Sequence, residues 1–159
     1  MKLLRAKANS FGVTLKFYRR PIRYPYKYGV NGGYSAKDKS IILTAYGNQS
    51  YSYILAVLAH EVRHAEHDFL GLFKEYYNPA MNDIKAFAQQ VANKEIKLPS
   101  NAIALQAEND CNKFAIKFMK KMGSPLKKRS KTYKAFFAPY PAHHTLISTI
   151  GDYIRYHLK

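Results

Sequence analysis

Residues 53–69 read YILAVLAHEVRHAEHDF, and this stretch decides how the chain folds. Apolar residues recur in it at the three- and four-residue intervals that place side chains on one face of a helix. They stand at positions 54, 55, 57, 58, 62, 65 and 69. The spacing predicts an amphipathic helix, and that helix contains the motif HEVRH at residues 60–64.

The HExxH motif has a direct chemical interpretation. His60 and His64 are four residues apart, so on a helix both imidazoles lie on one face and can reach one zinc ion. Glu61 lies beside that face, where its carboxylate can take a proton from a water molecule that the zinc has activated. The motif therefore predicts a zinc site with its own general base.

A catalytic zinc site needs a third protein ligand, because such sites use three ligands and leave the fourth position to water. Three local candidates follow the motif on the same helix: Glu66, His67 and Asp68. They lie within about one turn of His64. From there they can hardly complete a tetrahedron around an ion that His60 and His64 already hold.

A ligand from outside this helix therefore has to be found. The metzincin class of zinc peptidases places a histidine six residues after the second one of the motif, but this position is Leu70. A carboxylate from another helix remains, and Glu108 is the best candidate because it heads the run ENDCN at residues 108–112. In this run we expect Asp110 to be solvated or ion-paired and Cys111 to be a small core residue.

The rest of the chain alternates strand-like and helical patterns. Pro21–Tyr28 is predicted to be irregular, Asn31–Gly33 a turn or bulge, Lys37–Lys39 a hairpin tip and residues 127–134 a basic loop. The strand around residues 40–45 either offers an edge on which a peptide adds or is an ordinary buried strand. The predicted elements are strands over 12–19 and 40–45 and helices over 53–69, 81–96, 102–122 and from about 143 to the C-terminus.

Residues 30–64, VNGGYSAKDKSIILTAYGNQSYSYILAVLAHEVRH, resemble the gluzincin zinc peptidases of the CAAX-prenyl-protease and HtpX type. In that group an I-x-L-T strand precedes L-A-x-V-L-A-H-E-x-x-H. Glu108 and Asn112 match the spacing of its E-x-x-x-D motif, with Asn in place of Asp. The run ENDCNKFA at 108–115 is similar to E-x-E-A-N-x-F-A of the ImmA/IrrE-type peptidases. YPAHHTLI at 140–147 resembles a downstream His-Pro … Arg-Ile element.

The resemblance implies a zincin-like α+β fold, in which a small sheet packs on the HExxH helix and on a second ligand-bearing helix. It implies zinc ligands His60, His64 and Glu108, with Glu61 as general base and then general acid. Two departures from the pattern are Arg63, where Gly is usual, and Cys111, where Ala is usual. The sequence also lacks the membrane helices that many members of that group contain.

Further residues receive roles only through the resemblance. Asn112 would hold the imidazole of His64 in orientation without touching the metal, or else lie on the helix surface. Tyr140, His143 and His144 are candidates to stabilise the oxyanion. The alternative for these three is that they cap or buttress the last helix.

Composition sets the remaining limits. The 159 residues, 47% of them hydrophobic, predict one folded domain over residues 1–159. The net charge is +16, with ten basic and one acidic residues in 1–60, eleven and one in 111–159, and more acidic than basic residues between. This excess predicts attraction to a polyanion, which is nucleic acid, an anionic surface such as a membrane face, or an acidic partner. The basic candidates are Lys127, Lys128, Arg129 and Lys131.

The sequence also restricts the setting of the protein. One cysteine, Cys111, excludes an internal disulfide and a Cys-rich zinc module. No stretch approaches the roughly 20 apolar residues of a transmembrane helix, and the start MKLLRAKANS lacks the apolar core of a signal peptide. We therefore expect a soluble protein, either cytoplasmic or delivered to a target cell by a route without a classical signal peptide.

Two classes of function remain. The first is a zinc metalloendopeptidase that acts on a protein or peptide, which would also suit a delivered toxin or a phage-type effector. The second is a basic polyanion-binding protein with a structural or inactive zinc site. Glu61 favours the first class, because a purely structural zinc needs no general base.

The basic loop yields a prediction about salt. Replacing Lys127, Lys128, Arg129 and Lys131 with glutamine should flatten the salt dependence of DNA, RNA or anionic-lipid binding by roughly one unit per lost contact, because each phosphate contact releases counterions. Binding isotherms at several salt concentrations measure the slope, and zinc content, which should not change, is the control. Undetectable binding of the unmodified protein at about 50 mM salt would refute the polyanion interpretation.

Overall fold

Five α-helices and a three-stranded mixed sheet make up the described part of the computed structural model, and the protein is therefore α+β. The structure describes residues 1–20, 32–46, 50–126 and 146–158. Several predictions fall outside these residues and stay predictions: the irregular tract 21–28, the basic loop 127–134 with Lys127, Lys128, Arg129 and Lys131, and the candidates Tyr140, His143 and His144.

The elements follow one another as α1, three strands, then the remaining helices. The helices are α1 (Lys2–Ser10), α2 (Tyr51–Phe69), α3 (Ile84–Ala92), α4 (Asn101–Lys121) and α5 (Leu146–His157). The strands are β1 (Thr14–Arg20), β2 (Gly32–Ser35) and β3 (Ser40–Tyr46). A 3-10 turn over Pro79–Asn82 precedes α3.

Helices α2 and α4 match their predicted bounds to within two residues, because side-chain caps determine where they begin. Ser50 Oγ accepts the backbone N–H of Tyr53 at 3.2 Å, and Ser100 Oγ accepts that of Ala102 at 3.3 Å. Such caps satisfy backbone donors that have no partner inside the helix. After α4, Gly123 adopts the left-handed conformation with φ +69°, which is common just past the end of a helix.

The helix predicted over residues 81–96 is shorter than expected and spans Ile84–Ala92. Asp83 begins it by accepting the backbone N–H of Ala86 at 3.1 Å. Shortly after its end, Lys94 has φ +62°, a conformation that an α-helix does not contain. Local capping and backbone geometry therefore limit this helix to nine residues.

Helix α1 is absent from the sequence-based prediction. An isolated helix of nine residues is marginal in water, so its stability has to come from packing. Leu4 and Ala8 are buried one turn apart, and Lys7 Nζ lies 2.8 Å from Glu66 Oε1 on α2. Tertiary contacts with α2 thus account for a helix that a nine-residue pattern does not reveal.

The sheet has the strand order β1-β3-β2. β1 is parallel to β3, with Thr14 opposite Ser40 and Arg20 opposite Tyr46. β2 is antiparallel to β3 and is joined to it by a turn that includes the predicted hairpin tip at Lys37–Lys39. β3 is therefore the central strand of the described sheet.

This order contradicts the interpretation of residues 40–45 as an available edge. Ser40–Leu43 is hydrogen-bonded to β1 on one side and to β2 on the other, and Ile41 and Leu43 are buried. The alternative, an ordinary buried strand, is confirmed for these four residues. Among the described strands, the edges are β1 and β2.

The turn predicted at Asn31–Gly33 is wrong for its two glycines, which begin strand β2. A Cβ added to Gly32 would lie 2.6 Å from Val57 Cγ1 on α2 and 3.1 Å from Glu61 Cγ. Glycine is required at this position because the strand backbone approaches the helix closely. Glycine at this position is therefore needed for packing and not for a turn.

The core has two parts, and α4 contributes to both. The first lies between the sheet, α1, α2 and the second half of α4; its members include Leu4, Ile41, Leu43, Leu58, Val62, Ala115 and Met119. The second joins α3, α4 and α5 through Met81, Phe87, Ala88, Ala104 and Ile150. In the described segments, no helix combines the length and apolar character that crossing a membrane requires.

The two glycines of β2 provide a matched test of this packing. Gly32→Ala should lower the free energy of unfolding by about 1–3 kcal/mol, because the new methyl group overpacks the contact with Val57 and Leu43. Gly33→Ala is the control, since its Cβ would meet nothing within 4 Å. Urea denaturation measures both, and equal stabilities of the two variants would contradict the close approach of β2 to α2.

Candidate metal centre

The candidate site lies between α2 and α4, which pack against each other. Helix α2 provides His60, Glu61 and His64, and α4 provides Glu108 and Asn112. All but His60 are buried, and His60 is nearly so. Residues 44 or more positions apart in the chain are thus brought together by the packing of two helices.

Three donor groups converge on one point of this interface. His60 Nε2 lies 2.9 Å from His64 Nε2. The carboxylate of Glu108 reaches both rings, with Oε2 3.1 Å from His60 Nε2 and Oε1 3.5 Å from His64 Nε2. The three residues proposed as ligands from the sequence are therefore adjacent in space.

Asn112 contacts the site, but not at the residue that was expected. Its Oδ1 lies 2.9 Å from Nδ1 of His60, whereas the resemblance implies a contact with His64. The reason is that α2 and α4 are antiparallel, as the 3.3 Å contact between Ser52 and Ser124 at their opposite ends shows. One turn beyond Glu108 on α4 therefore leads back towards the start of α2 and to His60.

Two tyrosines complete the surroundings of the three donors, and sequence reasoning missed both. The hydroxyl of Tyr77 lies 2.6 Å from His64 Nδ1, and the hydroxyl of Tyr76 donates to Glu108 Oε1 at 2.7 Å. Both follow α2 in a segment of turns. No sequence signal separates them from the other tyrosines, of which the chain has 14 in total.

The local candidates that the sequence analysis set aside have other partners. Glu66 pairs with Lys7 and Arg63. Asp68 pairs with Lys39 at 2.6 Å and accepts a hydrogen bond from the hydroxyl of Tyr34. Both carboxylates stabilise contacts of α2 with neighbouring elements.

Asp110 is ion-paired, which confirms its prediction. Its Oδ2 accepts from Arg63 Nε at 2.7 Å and lies 2.8 Å from Nε2 of His67. His67 itself is completely buried.

Cys111 is a fully buried core residue, as expected, but it is also close to the site. His60, His64 and Cys111 form a group that could hold a metal ion, with donor atoms within 4.8 Å of one another. The thiol also lies 3.8 Å from Nδ1 of His67. Two sets of donors, one completed by Glu108 and one by Cys111, are therefore available to a metal.

The electrostatics differ between these two donors. Burial favours the neutral form of Glu108, but the interactions with the adjacent imidazoles of His60 and His64 outweigh it and hold the pKa of this carboxyl well below its usual range. Burial raises the pKa of the Cys111 thiol, and the neighbouring carboxylates add to that effect. Glu108 is thus already deprotonated, as a carboxylate or thiol ligand of a metal has to be, whereas Cys111 is not.

Glu61 has an environment of its own. Burial raises the pKa of its carboxyl group, although the nearby imidazoles of His60 and His64 act in the opposite direction. The backbone N–H of Tyr34 on β2 donates a hydrogen bond to it. The carboxylate is therefore held between the sheet and the two histidines.

Comparison of the chain with known protein families, with curated proteins and with solved structures finds no match. Functional inference accordingly rests on the residues of the site and their geometry.

The two donor sets can be separated by measuring bound metal. Loss of a residue that only hydrogen-bonds to a metal ligand lowers metal affinity about 10–100-fold. Glu108→Ala removes a ligand itself and should lower zinc affinity by more than this, whereas Cys111→Ala should leave it nearly unchanged. Elemental analysis and chelator competition on both variants provide the comparison. Full zinc occupancy of Glu108→Ala with loss of zinc from Cys111→Ala would transfer the third-ligand role to the thiol.

Proposed function

We propose that the protein is a zinc metallopeptidase of the gluzincin type with a zincin-like fold. The observation that supports this most is the convergence of His60 Nε2, His64 Nε2 and the Glu108 carboxylate within 2.9–3.5 Å of one another. Two imidazole nitrogens and a carboxylate placed this close in a buried interface form a donor set that suits a cation.

The donor set suits zinc. Zinc binds histidine nitrogen and carboxylate oxygen at about 2.0–2.2 Å in a tetrahedron, which places neighbouring ligand atoms about 3.3 Å apart. The separations of 2.9, 3.1 and 3.5 Å lie around this value. Two histidines and one glutamate also form a known catalytic set, whereas structural sites use four ligands that are mostly cysteine and histidine. This chain has a single cysteine.

Zinc bound by these residues would polarise a carbonyl group and lower the pKa of water to about 7. Glu61 follows His60 directly on α2, so its carboxylate lies beside the point where the donors converge. It would accept a proton from the water that attacks the amide carbon and return that proton to the amine when the C–N bond breaks. Asn112 would hold the imidazole of His60 in orientation, whereas the resemblance implies this role toward His64.

Strand β2 supports a peptide as the substrate. It is an edge of the described sheet, and its Tyr34 N–H contacts Glu61. The side chain of Tyr34 is fixed to α2 through Asp68. An extended peptide that adds to this edge by main-chain hydrogen bonds would run past the proposed general base.

The second candidate function is polyanion binding with a structural or inactive zinc site. Lys113, Lys117 and Lys121 favour it, because they are exposed at four-residue intervals on one face of α4. Such a stripe suits a series of phosphates. Glu61 argues for the peptidase, since neither a structural metal nor a phosphate contact uses a buried general base.

The role of Glu61 predicts a specific loss. Glu61→Gln should retain zinc and the fold but reduce proteolysis by about 10²–10⁴-fold, because the amide cannot accept the proton. Mass spectrometry of a diverse peptide library measures cleavage without assuming a substrate. Glu95→Gln, which changes an exposed glutamate in the segment after α3, is the control and should behave like the unmodified protein.

Two results would count against the peptidase. Cleavage by Glu61→Gln within about tenfold of the unmodified protein would exclude the proposed general base. No cleavage of any library peptide by the zinc-loaded protein would favour the polyanion-binding alternative.

A further inference from the structure

A continuous series of hydrogen bonds leads from His64 away from the donor groups to the surface of the helix pair. Tyr77 Oη lies 2.6 Å from His64 Nδ1 and 3.1 Å from His67 Nδ1. His67 Nε2 lies 2.8 Å from Asp110 Oδ2, and Arg63 Nε donates to the same oxygen at 2.7 Å. We propose that Tyr77, His67 and Asp110 form a relay that keeps the proton of His64 on Nδ1 and leaves its Nε2 free for a metal.

The direction of every bond in this relay follows from the Asp110 end. The guanidinium of Arg63 is always a donor, and it is held in place by a second bond to Glu66 at 2.7 Å. The ionised carboxylate of Asp110 can only accept. His67 must therefore have its proton on Nε2 to form the 2.8 Å bond.

The next two bonds are then determined in turn. His67 is completely buried, and burial lowers its pKa, so a neutral ring with one proton is expected. Its Nδ1 is an acceptor, and of the two groups that reach it the Tyr77 hydroxyl, at 3.1 Å, is the closer and stronger donor, since the Cys111 thiol lies 3.8 Å away and donates weakly. Because a phenol has only one proton, the oxygen of Tyr77 can only accept from His64 Nδ1.

This relay removes an ambiguity that a single hydroxyl would leave. A tyrosine hydroxyl next to an imidazole can donate or accept, and only the second arrangement leaves Nε2 with a free electron pair. The carboxylate of Asp110 selects the second arrangement, because it acts on the Tyr77 hydroxyl through His67. The relay also gives a role to Arg63, because the residue inside the HExxH motif anchors the acceptor end.

The inference rests on the metal site of the proposed function, and zinc affinity tests it on the full chain. Chelator competition should show that Tyr77→Phe binds zinc about 10–100-fold more weakly. Asp110→Leu removes the acceptor at a partly exposed position. It should lower zinc affinity about threefold or more, a smaller loss than that of Tyr77→Phe because Asp110 lies one hydrogen bond further from the metal. Tyr153→Phe on α5 loses a phenol hydroxyl outside the relay and is the matched control.

The double variant separates a relay from independent packing effects. If Asp110 acts through Tyr77, then Asp110→Leu should change zinc affinity by less than about twofold in the Tyr77→Phe background. Additive losses in the double variant would overturn the relay. So would zinc affinities of Tyr77→Phe and Asp110→Leu that both equal the unmodified value within twofold.

A spectroscopic measurement does not depend on metal binding. Nitrogen-15 NMR of labelled histidines, in the unmodified protein with and without zinc, should show His67 as the Nε2–H tautomer. An Nδ1–H tautomer of His67 would overturn the relay even if zinc binds normally. This measurement and Asp110→Leu still decide the question if Tyr77→Phe fails to fold, and an unmodified protein that binds no zinc would instead refute the metal site of the proposed function.

Discussion

The antiparallel packing of α2 on α4 is the constraint on which the rest of the structure depends. The buried positions of α4 are mostly small, with Ala104, Ala107, Cys111 and Ala115 fully buried, so neighbouring helices can approach it closely. Close approach brings Glu108 between the two imidazoles of α2. It also sets the register that pairs Asn112 with His60 rather than with His64.

Placing so many polar groups in one interface is costly unless each has a partner. In the described residues, Ser40 Oγ is the buried side-chain oxygen or nitrogen that lacks one, and it lies in the sheet. Around the site every carboxylate and imidazole is bonded, partly through Tyr76 and Tyr77. The polar cluster is thus a complete hydrogen-bond network. The same hydrogen bonds that satisfy the buried groups also orient the side chains of the site.

The ion pairs of the helix pair extend this network to the N-terminus. Lys7 on α1 contacts Glu66, Glu66 contacts Arg63, and Arg63 contacts Asp110. The guanidinium of Arg63 also lies over the ring of Phe114, 5.7 Å from its centre. Helix α1, which has little stability by itself, is therefore linked through charged contacts to the residues that hold the donor groups.

Periodicity, capping residues and one motif were enough to predict from the sequence α2, α4, the strands β1 and β3, and the candidate ligands His60, His64 and Glu108. All of these except Glu108 are local features, since helical spacing and an i, i+4 histidine pair need no knowledge of distant residues. Glu108 follows because the nearby candidates can hardly complete the tetrahedron, and the resemblance adds Asn112 by its spacing from Glu108.

Tertiary structure alone decided the features that depend on contacts between distant segments. Helix α1 forms because α2 covers it, and strand β2 needs glycine at position 32 because Val57 leaves no room for a side chain. The partner of Asn112 follows from the antiparallel direction of two helices, which its spacing from Glu108 does not state. Tyr77 reaches His64 and His67 only because the chain turns back over α2, and a sequence rich in tyrosine has no pattern that marks it.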